Sequence, residues 1–325
     1  MLEKEVRLKC WRFPLRLMLW VVACVFSLPV QAQMHAQQMQ EQMASSCQVQ
    51  IQAQMASSCQ VQIQAQQMQP SQQPVSLYGK GKVTLTPYVA EGSNVAVVVC
   101  PGGSYCWLDM ETEGTGVAQW LQSNGISAFV LRYRVAGWWA WATHYRCLFR
   151  GHQHPDMLHD GEAALRWVKQ HAAEFGIDSG RVGVMGFSAG GHLALSQACY
   201  GEGHPAFVAA IYPVVSMSDP CTHKRSRRAL LGERRQNDLR MRDSLSIERH
   251  IPAGCPPVFL LNCLDDPVVD YRNSVLADSA LTAQGVNHLY IQYQTGGHGF
   301  GASETKGTEE SRQWKNIFLN WIKSL

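Results

Sequence analysis

Three short stretches carry residue types that together suit acyl transfer by an activated serine. The first is 186–191, Gly-Phe-Ser-Ala-Gly-Gly, where Ser188 stands in a G-x-S-x-G pattern. A serine at a sharp strand-to-helix turn presents its Oγ at the helix N-terminus, where the dipole favours a developing anion. Side chains on either flank would block such a turn, so the chemistry asks for glycine there. The serine then needs an imidazole to take its proton and a carboxylate to orient that imidazole. The second stretch, 296–300 (GGHGF), offers His298 between glycines that let a loop bring the ring close to Ser188. The third, 264–269 (LDDPVV), offers Asp265 and Asp266, and the residues alone leave that choice open. His192, about one turn after Ser188, reads as a structural neighbour, and His250 and His288 have nothing catalytic beside them. An acyl-transfer intermediate also needs backbone N–H donors for its oxyanion, each worth about 10²–10³ in rate. Ala189 supplies one, and the turn Pro101-Gly102-Gly103-Ser104-Tyr105 is placed to supply others through Gly103 and Ser104.

Such residues must sit at the ends of rigid elements. Apolar runs at 95–100, 127–131, 181–186, 207–212, 258–261 and 288–292 read as short strands buried on both faces of a largely parallel sheet. Helical patterns at 116–123, 160–175, 189–200 and 271–284 separate them, with a last one at 309–325. This alternation predicts an α/β, doubly wound, mostly parallel sheet with helices on both faces. Residues 82–88 alternate Val83 and Leu85 with Thr84 and Thr86, the pattern of an antiparallel edge strand. Ser188, the aspartates and His298 all follow strand ends, where an open α/β sheet gathers its site.

Composition excludes several classes. With 46% hydrophobic and 16% charged residues in 325, the chain can bury a core and is not disordered throughout. A formal net charge of +3 is too small to argue for nucleic acid, which asks for a basic stripe. The eleven cysteines form no CxxC and no zinc-like quartet. His152, His154 and His159 have loose metal-like spacing but lack a fixed trio with carboxylate support, so no metal or cofactor is expected.

Residues 1–32 read as a secretory signal peptide: Lys4, Arg7, Lys9, Arg12 and Arg16 precede an apolar run at 17–28, with a small exit residue, Ala32. The run is shorter than the about 20 residues of a membrane span. Val22-Ala23-Cys24 loosely matches a lipoprotein processing site, yet the apolar run continues past it. A secreted or periplasmic protein without stable membrane insertion is therefore expected. Residues 33–74 read as a disordered Gln-rich linker in which QMASSCQVQIQA stands twice, at 42–53 and 54–65. That unit is too short for a solenoid and too poor in apolar surface to offset its ordering entropy. Residues 75–325 are left as the catalytic domain.

The stretches CPGGSY (100–105), FVLRYR (129–134), GFSAGGHLA (186–194), YPVVSM (212–217), LDDPVV and GGHGF resemble bacterial α/β-hydrolase esterases of the acetylxylan esterase type. These are related to esterase-lipase enzymes that carry PGGGY and GFSAGGHLA. Thr222-His223, Ser226-Arg227 and LLGE at 230–233 add to the likeness, which runs in order over roughly 75–325. The resemblance implies the α/β-hydrolase fold and a serine esterase that removes acetyl groups from xylan or its oligosaccharides. Its triad would be Ser188, Asp266 and His298, with an oxyanion hole from Gly103, Ser104 and Ala189. Related hydrolases place the acid three positions before a valine. Asp265 and Asp266 both satisfy this, and the Asp-Pro-x-Val form favours Asp266.

Two features depart from the family's pattern. Its third glycine is Ser104 here, which keeps the N–H but disfavours a left-handed backbone. The loop 137–159 is long and aromatic; Trp138, Trp139 and Trp141 either stack on sugar rings or cap the core. Tyr105, Trp138, Trp139 and Arg227 are the candidate substrate contacts. The basic stretch 224–242 reads as a solvated helical insertion, or else as an attractor of acidic polysaccharide substituents. A small-ester carboxylesterase, a feruloyl esterase or a peptidase-like hydrolase would fit the same scaffold. A non-catalytic binding protein would require a decayed triad, whereas Ser188, Asp266 and His298 all stand.

Overall fold

The apolar runs form strands because each buries side chains on both sides of the pleat. In Ala96–Cys100, Val97 and Val99 join Met185, Phe187, Ile211 and Phe259 in one cluster, while Val98 and Cys100 join Phe129, Val184, Ala210 and Leu260 in the other. The computed structural model describes residues 73–79, 81–142 and 151–325, all within one compact unit, Gln69–Leu325. The expected signal peptide, Cys24 and all but the last two residues of the Gln-rich linker lie outside the described residues.

Eight strands build one sheet: β1 (Val75–Ser76), β2 (Thr84–Tyr88), β3 (Ala96–Cys100), β4 (Ser127–Arg132), β5 (Val182–Phe187), β6 (Val208–Ile211), β7 (Val258–Cys263) and β8 (His288–Tyr293). Their order is β1-β2-β4-β3-β5-β6-β7-β8. From β4 to β8 every neighbour is parallel, and β2 runs antiparallel to β4. The helices are α1 (Gly116–Ser123), α2 (Trp138–Ala142), α3 (Asp156–Gln170), α4 (Ala189–Cys199), α5 (Lys224–Arg235), α6 (Leu239–Ser244), α7 (Arg272–Ala283), α8 (Glu309–Arg312) and α9 (Trp314–Lys323). Helices α1 and α9 cover one face through Val117, Leu121, Trp314 and Phe318; α3, α4 and α7 cover the other through Leu165, Val168, Leu193 and Leu281. Each such side chain contributes about 1.5–3 kcal/mol when fully buried. Strands β3, β5, β6 and β7 are buried along their whole length, which makes the sheet centre the firm base for the loops beyond it. Among the described residues, no helix is long and apolar enough to cross a membrane.

Several elements differ from the sequence reading. β2 is not the edge strand, because the two-residue β1 pairs with its outer side, Val75 opposite Leu85. Two residues are too few to show a periodicity. The helix expected at 160–175 is α3, beginning at Asp156 and ending at Gln170, followed by a 3₁₀ turn at Ala172–Phe175. Its apolar stripe starts at Met157 and continues through Ala164, Leu165 and Val168, which sets the earlier start. The helix expected at 309–325 is two, α8 and α9, meeting at Gln313. The basic stretch is not wholly solvated: α5 buries Ala229, Leu230 and Leu231 and kinks at Gly232, where φ is 77°.

Starting α3 early places Asp160 in its second turn, fully buried. The carboxylate accepts the Arg134 backbone N–H at 2.8 Å, Arg134 Nη2 at 2.6 Å and the Tyr78 hydroxyl at 2.9 Å. This one group ties the segment after β1, the end of β4 and α3 together. Asp160→Asn removes the charge and leaves a half-buried guanidinium underpaired, which should cost about 3 kcal/mol. The melting temperature should fall by roughly 6–12 °C; an unchanged melting curve would contradict this role.

Candidate active site

Ser188 occupies the single residue between β5 and α4, with φ 54° and ψ −118°. Its N–H donates to Ile211 O at 3.0 Å, and its carbonyl accepts from Gly191, His192 and Val214. A Cβ on Gly186 would stand 1.9 Å from Gly190 O, so only glycine lets the chain reverse this tightly. Ser188 Oγ lies 2.9 Å from His298 Nε2, and His298 Nδ1 lies 2.6 Å from Asp266 Oδ2. With Nδ1–H donating to a carboxylate, Nε2 is left to accept the serine proton. Asp266 is fixed in turn by the N–H groups of Val268 (2.8 Å) and Val269 (2.9 Å) on its other oxygen. Asp265 does not touch the imidazole. It accepts the N–H groups of Gly296 (3.2 Å) and Gly297 (2.8 Å), holding the loop that carries His298.

The turn at 101–105 is pinned from several sides. Pro101 O accepts the Tyr133 hydroxyl at 2.6 Å, and Gly103 O accepts the N–H of Cys106 and of Trp107. Ser104 has φ 58° and Tyr105 φ 59°, so the left-handed backbone disfavoured for serine is adopted all the same. Among the described residues, the N–H groups of Gly103, Ser104 and Ala189 donate to no acceptor. They lie on the two segments that flank Ser188 and are the free donors there.

Tyr105 is placed differently from the expected substrate contact, and this is a correction. Its left-handed backbone turns the ring inward, where it is 1% exposed and its hydroxyl lies 2.8 Å from His192 Nδ1. His192 Nε2 lies 2.9 Å from Leu245 O, so the ring donates there and accepts from Tyr105. Burial first of all lowers the His192 pKa to about 4, which keeps it neutral in this structural role. Arg227 donates through Nη1 to Met217 O at 3.1 Å and makes no contact with Ser188, Asp266 or His298. Trp138 and Trp139 are 56% and 69% exposed and pack edge to face at 5.0 Å, so they do not cap the core. Trp141 likewise faces outward. Of the three loop histidines, His152 pairs with Asp156 at 2.7 Å, while His154 lies near Arg235 and His159, burial first of all lowering its pKa to about 4.

Three neighbours of the site were not among the candidate site residues read from the sequence. Trp107, two residues beyond Tyr105, packs edge to face on Trp141 at 6.0 Å, with the Arg225 guanidinium 5.9 Å and 6.0 Å from their ring centres. His223 is close enough to feel both His298 and Asp266. Its pKa drops to about 4, mainly through burial and then through Arg225. The Thr222-His223 pair was a usable signal for it. Glu113, 3% exposed, accepts the Gly102 N–H at 2.8 Å.

A parallel sheet in this order, helices on both faces and a serine at the β5–α4 turn define an α/β-hydrolase. The chain belongs to the BD-FAE family, whose model matches residues 86–281. It is 30% identical to an acetylxylan esterase of Xylanibacter ruminicola over 259 residues, 77% of the chain. It is 29% identical to endo-1,4-beta-xylanase B of Butyrivibrio fibrisolvens over 216 residues, 62% of the chain. The chain spans 50% and 32% of the length of those two relatives. The crystal structure of an acetyl ester-xyloside bifunctional hydrolase from Caldicellulosiruptor lactoaceticus is 29% identical, with a TM-score of 0.69 over 79% of this chain and 98% of that one. By sequence and fold the chain is thus an α/β-hydrolase of this family.

The strain at Ser104 gives a direct test of the turn. Glycine adopts a φ of 58° without the clash of a Cβ, so Ser104→Gly should stabilise the protein by about 1 kcal/mol. Thermal unfolding should shift upward by roughly 2–4 °C. A downward shift would mean that the serine side chain, not the backbone, governs this position.

Proposed function

We propose that the protein is a serine ester hydrolase that removes acetyl groups from xylan or xylo-oligosaccharides, and that it acts outside the cytoplasm. The observation that carries the hydrolase reading is the hydrogen-bonded chain from Ser188 Oγ through His298 to Asp266, at 2.9 Å and 2.6 Å. In this reading His298 Nε2 takes the Ser188 proton as Oγ attacks the ester carbonyl. The N–H groups of Ala189, Gly103 and Ser104 hold the oxyanion. His298 then returns the proton to the departing sugar hydroxyl, leaving an acetyl-Ser188 ester. Water, deprotonated by the same imidazole, attacks that ester, and His298 returns the proton to Ser188 Oγ as the acyl–oxygen bond breaks and acetate leaves. Asp266 holds the ring in one tautomer and stabilises its protonated form.

The choice of a carbohydrate ester is supported by two kinds of observation. Relatives at 30% and 29% identity carry the names acetylxylan esterase and endo-1,4-beta-xylanase B. Trp138, Trp139 and Trp141 expose aromatic faces of the type that stack on sugar rings. Location outside the cytoplasm is supported by the basic and then apolar N-terminal pattern. A small-ester carboxylesterase is the second reading, favoured by a relative named esterase LipC from Mycobacterium tuberculosis, 27% identical over 250 residues.

Purified protein should release acetate from acetylated xylan. Its kcat/KM on p-nitrophenyl esters should be highest for acetate and fall beyond butyrate, whereas an alkyl groove would add about 0.8 kcal/mol per buried methylene and reverse that order. A steady rise toward octanoate with no release from the polysaccharide would establish the second reading instead. Ser188→Ala should fold and lose activity by several orders of magnitude. Asp266→Asn should be more damaging than Asp265→Asn; the reverse order would move the acid to Asp265.

A further inference from the structure

Glu113 is a buried carboxylate that the steps above do not use. It lies in a π-helical turn, Met110–Thr115, just before α1. Oε2 accepts the Gly102 N–H at 2.8 Å and Oε1 accepts the Tyr212 hydroxyl at 2.8 Å. The Tyr212 oxygen accepts in turn from the Gly301 N–H at 2.9 Å. Three loops therefore meet on two side chains: the turn after β3, the segment after β6 that starts with Tyr212, and the loop after β8 that bears His298.

The distances bring this cluster against the reacting groups. A Cβ on Gly102 would stand 2.6 Å from Glu113 Oε2 and 2.9 Å from Ser188 Cβ, so Gly102 is packed between carboxylate and nucleophile. The Tyr212 ring centre is 4.6 Å from that of His298 and 4.8 Å from that of Phe300. Tyr212 itself has φ 39°, a conformation held by its N–H bond to Leu261 O at 2.6 Å. Both carboxylate oxygens of Glu113 accept hydrogen bonds, as an ionised group does. Burial first of all pushes the Glu113 pKa above its ordinary value and Asp109 adds to the rise, while His298, the Tyr212 hydroxyl and the Gly102 N–H pull it back toward the charged form. Among the described groups that act on it, His298 is the one that can become a cation.

We propose that Glu113 is a positioning residue for the same ester hydrolysis, setting the oxyanion turn through Gly102 and the histidine loop through Tyr212, while its negative charge steadies the His298 imidazolium. The inference rests on the reading of Ser188 and His298 as nucleophile and base. The proton still passes from Ser188 Oγ to His298 Nε2 and on to the leaving group; Glu113 stays ionised throughout. His298 is then faced by Asp266 and Glu113, with His223, Tyr212 and Ser188 as the other groups around it.

The test compares Glu113→Gln, Glu113→Asp and Tyr212→Phe on p-nitrophenyl acetate across pH. Glu113→Gln removes the charge and nearly keeps the shape. Its kcat should fall about 10²-fold with KM little changed, the effect expected from misplacing reacting groups. Removing the negative charge should move the acidic limb of kcat/KM to lower pH. Glu113→Asp keeps the charge and shortens the reach, and Tyr212→Phe cuts the bridge while sparing the charge. Both should lose kcat with the limb in place. Wild-type kcat in Glu113→Gln, or a loss with an unmoved limb, would overturn the proposal. If Glu113→Gln does not fold, wild-type kcat in Tyr212→Phe overturns it on its own. Ser188→Ala run beside these separates the two levels: activity there defeats the nucleophile reading, whereas an inactive Ser188→Ala with a wild-type-like Glu113→Gln defeats only this inference.

Discussion

Ser188 holds φ 54° and ψ −118°, a backbone conformation that costs an L-residue roughly 1–3 kcal/mol and persists only where its surroundings over-determine it. Those surroundings are the centre of the sheet. The Ser188 N–H bonds to Ile211 at the end of β6, and its carbonyl accepts from both α4 and Val214. Gly186 and Gly190 lie so close that no side chain fits between them. The fully buried strands β3, β5, β6 and β7 supply the packing energy that offsets this strain. Order in the sheet follows from the same need: β3 and β6 flank β5, so the turn at 101–105 and Tyr212 arrive on either side of the serine.

The site also shows how buried charge is made tolerable. Asp266, Glu113 and Asp160 each accept two or more N–H or O–H groups, which replace the water they have lost. Asp266 and Asp265 are adjacent in the chain yet act on different partners, one on the imidazole and one on the backbone of the loop that carries it. His192 takes the opposite course. It stays neutral, bridging Tyr105 and Leu245, and thereby holds the oxyanion turn from behind.

Much of this was legible in the sequence because it depends on local rules. Apolar runs of four to six residues mark strands buried on both faces, and the glycines around Ser188 and His298 mark turns where side chains cannot fit. What escaped depends on contacts distant in the chain. Glu113 sits among ordinary polar residues in METEGT, and only the arrival of Gly102 and Tyr212 makes it special. Tyr105 follows the oxyanion turn and so reads as site-facing, until its backbone turns it toward His192, 87 positions away. The burial of Asp160 escaped for the same reason, since only Arg134 and Tyr78, distant in the chain, make its carboxylate an internal tie.

The central claim is that this geometry makes one serine an active nucleophile. A fluorophosphonate that phosphonylates activated serines, followed by intact-mass measurement and peptide mapping, tests it without assuming any substrate. The account predicts one adduct per chain, on Ser188, with residual esterase activity falling in proportion to labelling. Labelling of a different serine, or full activity after Ser188 is modified, would contradict it.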